Sequence, residues 1–401
     1  MTSRERMRAA LECRPADYTP CSFMLFDTLY EKCATDREYV EKQLELGLDA
    51  FVHVGHLNPD LHRYGILHPE VQVREWVERQ GEATFFCRRL DTPAGPLTSR
   101  VRQREGWPRE DDFPLLKDWI VSRAEEVLVK PERDLEKLKY VFGPFKDQDI
   151  RRLEEEAAEA RQLAEDHQLL LVGGWKGRVR PGLHVEPGVM GCDVMAWLSG
   201  YETVMVLSLT QPNLIREYAR IIHEWNMKQL DIYLEATAAE LIVRRGWYET
   251  TEFWTPTAYR NIIAPFLGKE AERVHQAGRK YGYIITSAFL PILDDILAAG
   301  VDVLIGLDPK EGKGTDLAVV KARFLEKKRA LWGGVSGPLD VELGQQKDTE
   351  EAVRAALEIL GPGGGFILSP VDNLREDTEN SWRNTYRLIE TWKKYRGSEG
   401  G

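Results

Sequence analysis

The densest group of chemistry-bearing residues is the run Gly246-Trp247-Tyr248-Glu249-Thr250-Thr251-Glu252-Phe253-Trp254-Thr255-Pro256. It places two carboxylates, Glu249 and Glu252, among the aromatic side chains of Trp247, Tyr248 and Trp254. A carboxylate against aromatic walls loses hydration, its pKa rises, and it can serve as an acid or base near neutral pH. Packing of a loop, with both glutamates in water, is the plainer alternative. A second group is His53 and His56, with His62 and His68 downstream. Imidazoles so close together can move protons or hold a metal, or can be solvated in a polar loop. His53 and His56 are not at the helical i, i+4 spacing, so one metal would need a turn to bring them together, and both are expected as pocket-lining groups without a metal.

The run Gly173-Gly174-Trp175-Lys176-Gly177-Arg178-Val179-Arg180 offers backbone N–H donors beside Lys176, Arg178 and Arg180. Such a loop can hold an anionic group of a substrate, with Trp175 as a wall, although it is no Walker A sequence. Asp372, in Ser369-Pro370-Val371-Asp372-Asn373, can accept a hydrogen bond, orient an amine or act as a base, or can cap a following helix. Cys192 has no base nearby in sequence and reads as a buried small hydrophobe.

These residues need elements to hold them. Apolar runs at 50–55, 169–174, 240–244, 283–287, 301–306, 330–334 and 365–369 alternate with helical stretches at 149–166, 212–236, 257–281, 291–299, 316–329 and 349–360. Strands apolar throughout belong to parallel sheets covered on both faces. No GxGxxG follows the first of them, so an α/β fold of the (β/α)8 TIM type is expected rather than an open doubly wound sheet. An eighth strand is expected near 182–186. In such barrels functional side chains sit where strands end and βα loops begin, which is where the groups above fall. The segment 71–146 breaks the alternation. Its first part predicts β-hairpins around Gly81 and Gly95, and the whole is expected as one long insertion after the first barrel strand, covering the barrel mouth. The chain is expected to form a single domain, 1–401, with a disordered tail at 396–401.

Composition sets bounds. The formal net charge of −11, with charges interspersed, argues against nucleic acid as a partner. No apolar run approaches the roughly 20 residues that span a bilayer. The opening residues carry arginines and predict a helix capped at Thr2 or Ser3 with Glu5 in its first turn, not a secretory signal. Five cysteines without a CxxC suit a reduced, cytoplasmic protein.

Several motifs resemble the uroporphyrinogen decarboxylase superfamily, which holds decarboxylases and cobamide-dependent methyltransferases. They are the opening Thr2-Ser3-Arg4-Glu5-Arg6-Met7-Arg8 with Pro15 and Pro20, Thr92-Pro93-Ala94-Gly95-Pro96-Leu97 followed by Val129-Lys130-Pro131-Glu132, the segment 278–302, and above all Leu331-Trp332-Gly333-Gly334-Val335, Thr349-Glu350-Glu351-Ala352-Val353, Pro362-Gly363-Gly364-Gly365-Phe366-Ile367-Leu368-Ser369-Pro370 and Glu379-Asn380. The resemblance runs from Thr2 to about Tyr395. It implies a barrel whose loops approach a tetrapyrrole or small substrate, with Glu249 and Glu252 near it and Asp372 at the family's functional position after the last strand. Two departures qualify it. The stretch 21–30 lacks the arginines with which the decarboxylases hold carboxylates. The strand that carries a zinc-binding His-x-Cys in the thiol methyltransferases reads Ile284-Ile285-Thr286-Ser287-Ala288 here, so no metal is expected and Thr286 is expected to touch substrate. The expected catalytic groups are therefore Glu249, Glu252, Asp372 and His53, and the expected substrate-binding groups His56, Trp175, Lys176, Arg178, Tyr248, Trp254 and Thr286. The expected activity is methyl transfer on a small methylated substrate with a corrinoid (cobalamin) on a partner protein and no tightly bound cofactor. Decarboxylation of uroporphyrinogen or another acidic molecule, and non-catalytic binding of a tetrapyrrole or small ligand, are the alternatives. Family members often pair, so a homodimer is expected.

Overall fold

The computed structural model describes residues 1–55, 57, 64–104, 113–175, 188–312, 314–371 and 373–397. Seven strands form one parallel sheet: β1 (Phe51–His53), β6 (Leu170–Gly173), β7 (Leu241–Arg245), β8 (Lys280–Ile284), β9 (Val303–Leu307), β10 (Ala330–Ser336) and β11 (Phe366–Val371). They are hydrogen-bonded in sequence order, so each crossover reaches the adjacent strand. Between β1 and β6 the chain forms a separate antiparallel sheet of β2 (Gln72–Gln80), β3 (Ala83–Thr92), β4 (Gly95–Arg102) and β5 (Ala124–Glu126). Its two tight turns use Gly81 and Gly95 at positive φ, where the sequence predicts hairpins.

The parallel sheet curls, and the segment around Cys21 lies between its two edges. Cys21 pairs in parallel with Leu368 of β11. The Ser22 N–H donates to the Leu368 carbonyl at 2.9 Å, and on the other side the Asp49 N–H donates to the Cys21 carbonyl at 2.8 Å. The extended piece expected near 182–186 lies outside the described residues; the edge contacts seen are those of 20–22. Side chains of one parity along the strands meet inside the curl. Phe51, Leu170, Val172, Leu241, Val243, Ile284, Val303, Ile305, Trp332 and Ile367 form one buried cluster, with Met7, Ala10 and Leu11 of the helix Ser3–Leu11 packed on it. The other parity packs outward under the helices. This is the layering of a TIM-type α/β fold.

The N-terminal helix is placed by a capping box. Thr2 accepts from the Glu5 N–H, and Glu5 accepts from the Thr2 N–H. Its Arg6 makes a buried ion pair with Asp49 at 2.5 Å, whose other oxygen accepts from the Cys21 N–H at 3.2 Å. One carboxylate thereby ties the helix, the joining segment and the start of β1 together.

Two expectations about local structure change. The stretch 257–281 is not one helix. A π-helical turn, Tyr259–Ile263, precedes the helix Ala264–Gln276, and Gly278 at positive φ ends it before β8. Strand β8 therefore begins three residues earlier than the apolar run suggests, because Tyr281 and Tyr283 are buried outward-facing residues rather than boundary ones. Among the described residues no helix is long and apolar enough to cross a membrane.

Candidate functional site

Two adjoining spaces open at the carboxyl ends of the parallel strands, sharing Met24 and Leu25. The smaller, about 280 Å³, is walled by Trp247, Ile284, Thr286, Ile305, Trp332, Ser369 and Val371. The larger, about 510 Å³, is walled by Phe26, Asp27, Tyr30, Asp36, Tyr39, Phe51 and His53. The ring of Phe51 meets Trp332 edge-on, centroids 5.5 Å apart, and His53 at 5.1 Å, so aromatic surface runs from one space to the other. Trp332 points inward from the middle of β10, where Gly333 and Gly334 follow it without side chains, and its indole N–H donates to the Ser22 carbonyl at 2.8 Å. Asp27 is fixed by Asn373, whose Nδ2 donates to its carboxylate at 2.6 Å while the Asp27 N–H donates back to the amide oxygen at 3.2 Å. The Tyr30 hydroxyl donates to Asp36 at 2.7 Å.

Of the expected residues, His53 and Thr286 line this cleft. Trp175 stands one ring behind it, edge-on to Trp247 at 5.1 Å. Tyr248 packs on Tyr201 and Phe253, and Trp254 is fully buried with its N–H donated to the Tyr248 carbonyl at 2.9 Å. These two rings shape the loop after β7 and are absent from the cleft lining. Glu252 is exposed on the rim, accepting from the Ser287 hydroxyl at 3.3 Å. His56, Lys176, Arg178 and Asp372 lie outside the described residues.

Glu249 is the clearest correction. Rather than standing free beside aromatic walls, it is wholly buried and has four donors. Arg244 grips it through both terminal nitrogens at 2.6 and 2.7 Å, the Tyr283 hydroxyl donates at 2.6 Å and the Cys192 N–H at 2.7 Å. Arg244 alternates outward from β7, so the pair sits between sheet and helices. The network continues: Arg244 Nε is 3.0 Å from Glu270, which also meets His223 at 3.0 Å and accepts from Tyr281 at 2.7 Å. Burial alone would raise the Glu270 carboxyl, but Arg244 and His223 hold it below the usual range. Burial pushes Tyr281 and Tyr283 well above an ordinary phenol, reinforced by Glu270 and Glu249 respectively. Glu249 is thus an anchor that holds the loop 246–254 on β7. Burial, and then the charge of Glu249, likewise raise the Cys192 thiol well above its ordinary value.

The next residue, Arg245, has the inward parity. It pairs with buried Asp193 at 2.6 Å and lies over the rings of Trp197 and Trp247, 4.6 and 4.4 Å from their centroids. Asp193 also accepts from the Tyr248 N–H at 2.8 Å. Together these contacts set Trp247 against the cleft. The sequence carries a signal for this arrangement, two consecutive arginines ending an otherwise apolar strand. Met24, Leu25, Asp27 and Tyr30 carry none, since the first two lie outside helices and strands and the helix Asp27–Tyr30 is a single turn, too short to show a period.

Residues 189–386 match the family model described as uroporphyrinogen decarboxylase (URO-D). This stretch, just under half of the chain, places its C-terminal part with the uroporphyrinogen decarboxylase superfamily. Over the whole chain its fold is similar to that of a methyltransferase from Methanosarcina mazei, with 16% identity, 98% of this chain and 99% of that chain covered, and a TM-score of 0.56. A 3-keto-D-glucoside 4-epimerase from E. coli overlaps more loosely, with 13% identity over 66% of this chain and 95% of that one and a TM-score of 0.36. A D-psicose 3-epimerase from Clostridium cellulolyticum H10 does so with 11% identity over 66% and 88% and a TM-score of 0.34. No curated protein matches the chain. The zinc site that this likeness raises can be put to the residues. Thr286 offers a hydroxyl in the cleft wall and Ala288 offers no side-chain donor, which does not fit a zinc–thiolate site.

Proposed function

We propose that this superfamily member is a methyltransferase-type enzyme. It moves a methyl group between a small methylated molecule and a corrinoid carried by a partner protein, without a zinc-activated thiol. The observation that carries this reading is the wall of the smaller space. Met24, Leu25, Ile284, Ile305, Trp247 and Trp332 make it apolar; among the described lining side chains Thr286 offers a hydroxyl to orient a ligand, while that of Ser369 is bonded to the Pro370 carbonyl and the Met24 N–H. Apolar walls with a few placed polar groups suit a small ligand held for reaction. They exclude water around the reacting methyl, and the rigid rings of Trp247 and Trp332 restrict its approach to one direction. The corrinoid, when its carrier docks, supplies the nucleophile or methyl source; this chain's residues bind and orient the other reactant. His53, at the end of β1, lines the larger space, and in this reading it gives a proton to a donor that leaves as an alkoxide.

The alternative of decarboxylation asks for cations to bind a polycarboxylate, and the described lining of both spaces has no lysine or arginine. Incubation with uroporphyrinogen is expected to give no coproporphyrinogen. The positive test uses cob(I)alamin with a panel of methyl ethers, methylamines and methyl thioethers. Transfer is read as the change from the cob(I)alamin to the methylcobalamin spectrum. At least one donor class is expected to react, and Trp332→Ala to lower its kcat/KM at least tenfold. If no donor methylates cobalamin, the methyl-transfer reading is wrong.

A further inference from the structure

We propose that the cleft selects methylated ammonium cations, with the charged head in the larger of the two spaces. As a statement about the methyl donor this rests on the methyl-transfer reading; as a statement about ligand charge it rests on the lining alone. The larger space combines aromatic faces with negative charge. Tyr30, Tyr39, Phe51 and His53 supply rings, and Asp27 and Asp36 supply carboxylates. Tyr30 and Tyr39 stand edge to face with centroids 4.9 Å apart, and Phe51 and His53 do the same at 5.1 Å. Two walls of rings with two acids are the composition that binds a quaternary ammonium group, through ring quadrupoles and weak desolvation of a diffuse charge.

The acids are held in place, Asp27 by Asn373 at 2.6 Å and Asp36 by the Tyr30 hydroxyl at 2.7 Å. Their field is felt in the wall. Burial, and then the charges of Asp27 and Asp36, push the Tyr39 phenol well above its ordinary range. The smaller space, sharing Met24 and Leu25, then receives the uncharged remainder of the molecule or a methyl group turned toward the acceptor.

The chemistry suits such a donor. A reduced corrinoid on the partner would supply the electron pair that the methyl carbon takes as the C–N bond breaks. The pair of that bond would stay on nitrogen and a neutral tertiary amine would leave, so no residue of this chain would have to deliver a proton. An ether donor would expel an alkoxide and need one.

The test uses the full chain and a pair of isosteres. Choline and 3,3-dimethylbutan-1-ol differ only in whether the branched centre is a charged nitrogen or a carbon, and 3,3-dimethylbutanoate adds a negative charge. Binding is measured by calorimetry and by the fluorescence of the wall tryptophans. Choline is expected to bind at least about tenfold more tightly than the alcohol, with the carboxylate weakest. Asp27→Asn should reduce the preference to about threefold or less. Asp36→Asn, an exposed position, should lower it in the same direction and serves if the Asp27 variant fails to fold by circular dichroism. Equal or tighter binding of the neutral alcohol, or no binding of any probe, overturns the inference. A cation preference without methyl loss to cob(I)alamin would uphold ligand charge and overturn methyl transfer. Transfer from methoxyarenes without a cation preference would do the reverse.

Discussion

Replacing Arg244 by Met should be among the most damaging single changes in the chain, although the residue does not line the cleft. Its guanidinium lies between two buried carboxylates, bidentate on Glu249 at 2.6 and 2.7 Å and 3.0 Å from Glu270. Despite burial, those two charges hold the guanidinium proton far more tightly than usual. Removing one partner of a buried pair costs about 3–5 kcal/mol, because the charge left behind has no water to return to. Here two carboxylates are left, so the upper end applies. At roughly 1.2 °C per kcal/mol for a chain of this size, thermal unfolding should fall by about 6 °C. The loss should deepen with pH. Without Arg244 the folded state holds a proton on this carboxylate pair at a pH where the unfolded chain has released it, so stability falls as pH rises.

Scanning calorimetry of wild type, Arg244→Met, Glu249→Gln and the double variant at pH 5 and pH 8 reads this directly. Glu249→Gln alone should cost less than Arg244→Met, because Arg244 keeps Glu270. The double variant should be more stable than the sum of the two losses implies, by at least about 1 kcal/mol. A fall of less than about 2 °C for Arg244→Met, or strict additivity, would refute the account of Glu249 as an anchor. So would a Glu249→Gln protein that unfolds like wild type but has lost all turnover.

Three further outcomes follow from particular contacts. Gly333→Ala should destabilise by more than about 2 kcal/mol in chemical denaturation, since Gly333 has φ +147° and a Cβ there would lie 2.7 and 2.8 Å from the Leu307 backbone N and O. Lys321→Met should stabilise the protein at pH 7 by up to about 3 kcal/mol less the hydrogen bond to the Gly364 carbonyl, because burial lowers the Lys321 ammonium to about 8. Above pH 8 the unfolded chain binds more protons at this site than the folded one, so wild-type stability gains on the variant up to about pH 10; a pH-independent difference would count against it. Asp302→Ala should lower thermal stability by several degrees, because Asp302 joins His275 at 2.6 Å, the Tyr281 N–H at 2.8 Å and Arg329 at the amino ends of β8 and β9.

How far such features can be seen in a bare sequence depends on whether they repeat. Strands β6, β7, β9, β10 and β11 are apolar on both faces, and each was legible as a run of the right length between helical stretches. The hairpins at Gly81 and Gly95 were legible because a tight turn of that kind asks for glycine. The joining segment 20–22 was not, because its place in the fold rests on a few main-chain bonds, to Leu368 and Asp49, that any side chains would permit. The start of β8 was missed for a related reason. A helix and a buried strand are both apolar, and only Gly278 at positive φ marks the change.

The site divides along the same line. The rule that function gathers at strand ends led to the loop after β7 and to His53, and the family resemblance led to Thr286; Trp247, Thr286 and His53 line the two spaces. What the rule does not contain is parity. Within the pair Arg244-Arg245 one side chain faces the helices and the next the interior, so neighbouring cations have different work: one clamps Glu249 and the loop, the other sets Trp247 through Asp193. Glu249 follows Arg244 outward, into a buried ion pair rather than against the aromatic rings that suggest an acid–base role. Among the described residues, the titratable groups that line the cleft are Asp27, Asp36, His53, Tyr30 and Tyr39. Asp27 opens the short helix Asp27–Tyr30 and Asp36 the helix Asp36–Glu45, so a rule about strand ends does not reach either acid. Their carboxylates give this side of the cleft negative charge, and it is the sign of charge that decides which substrates a cleft of this shape admits.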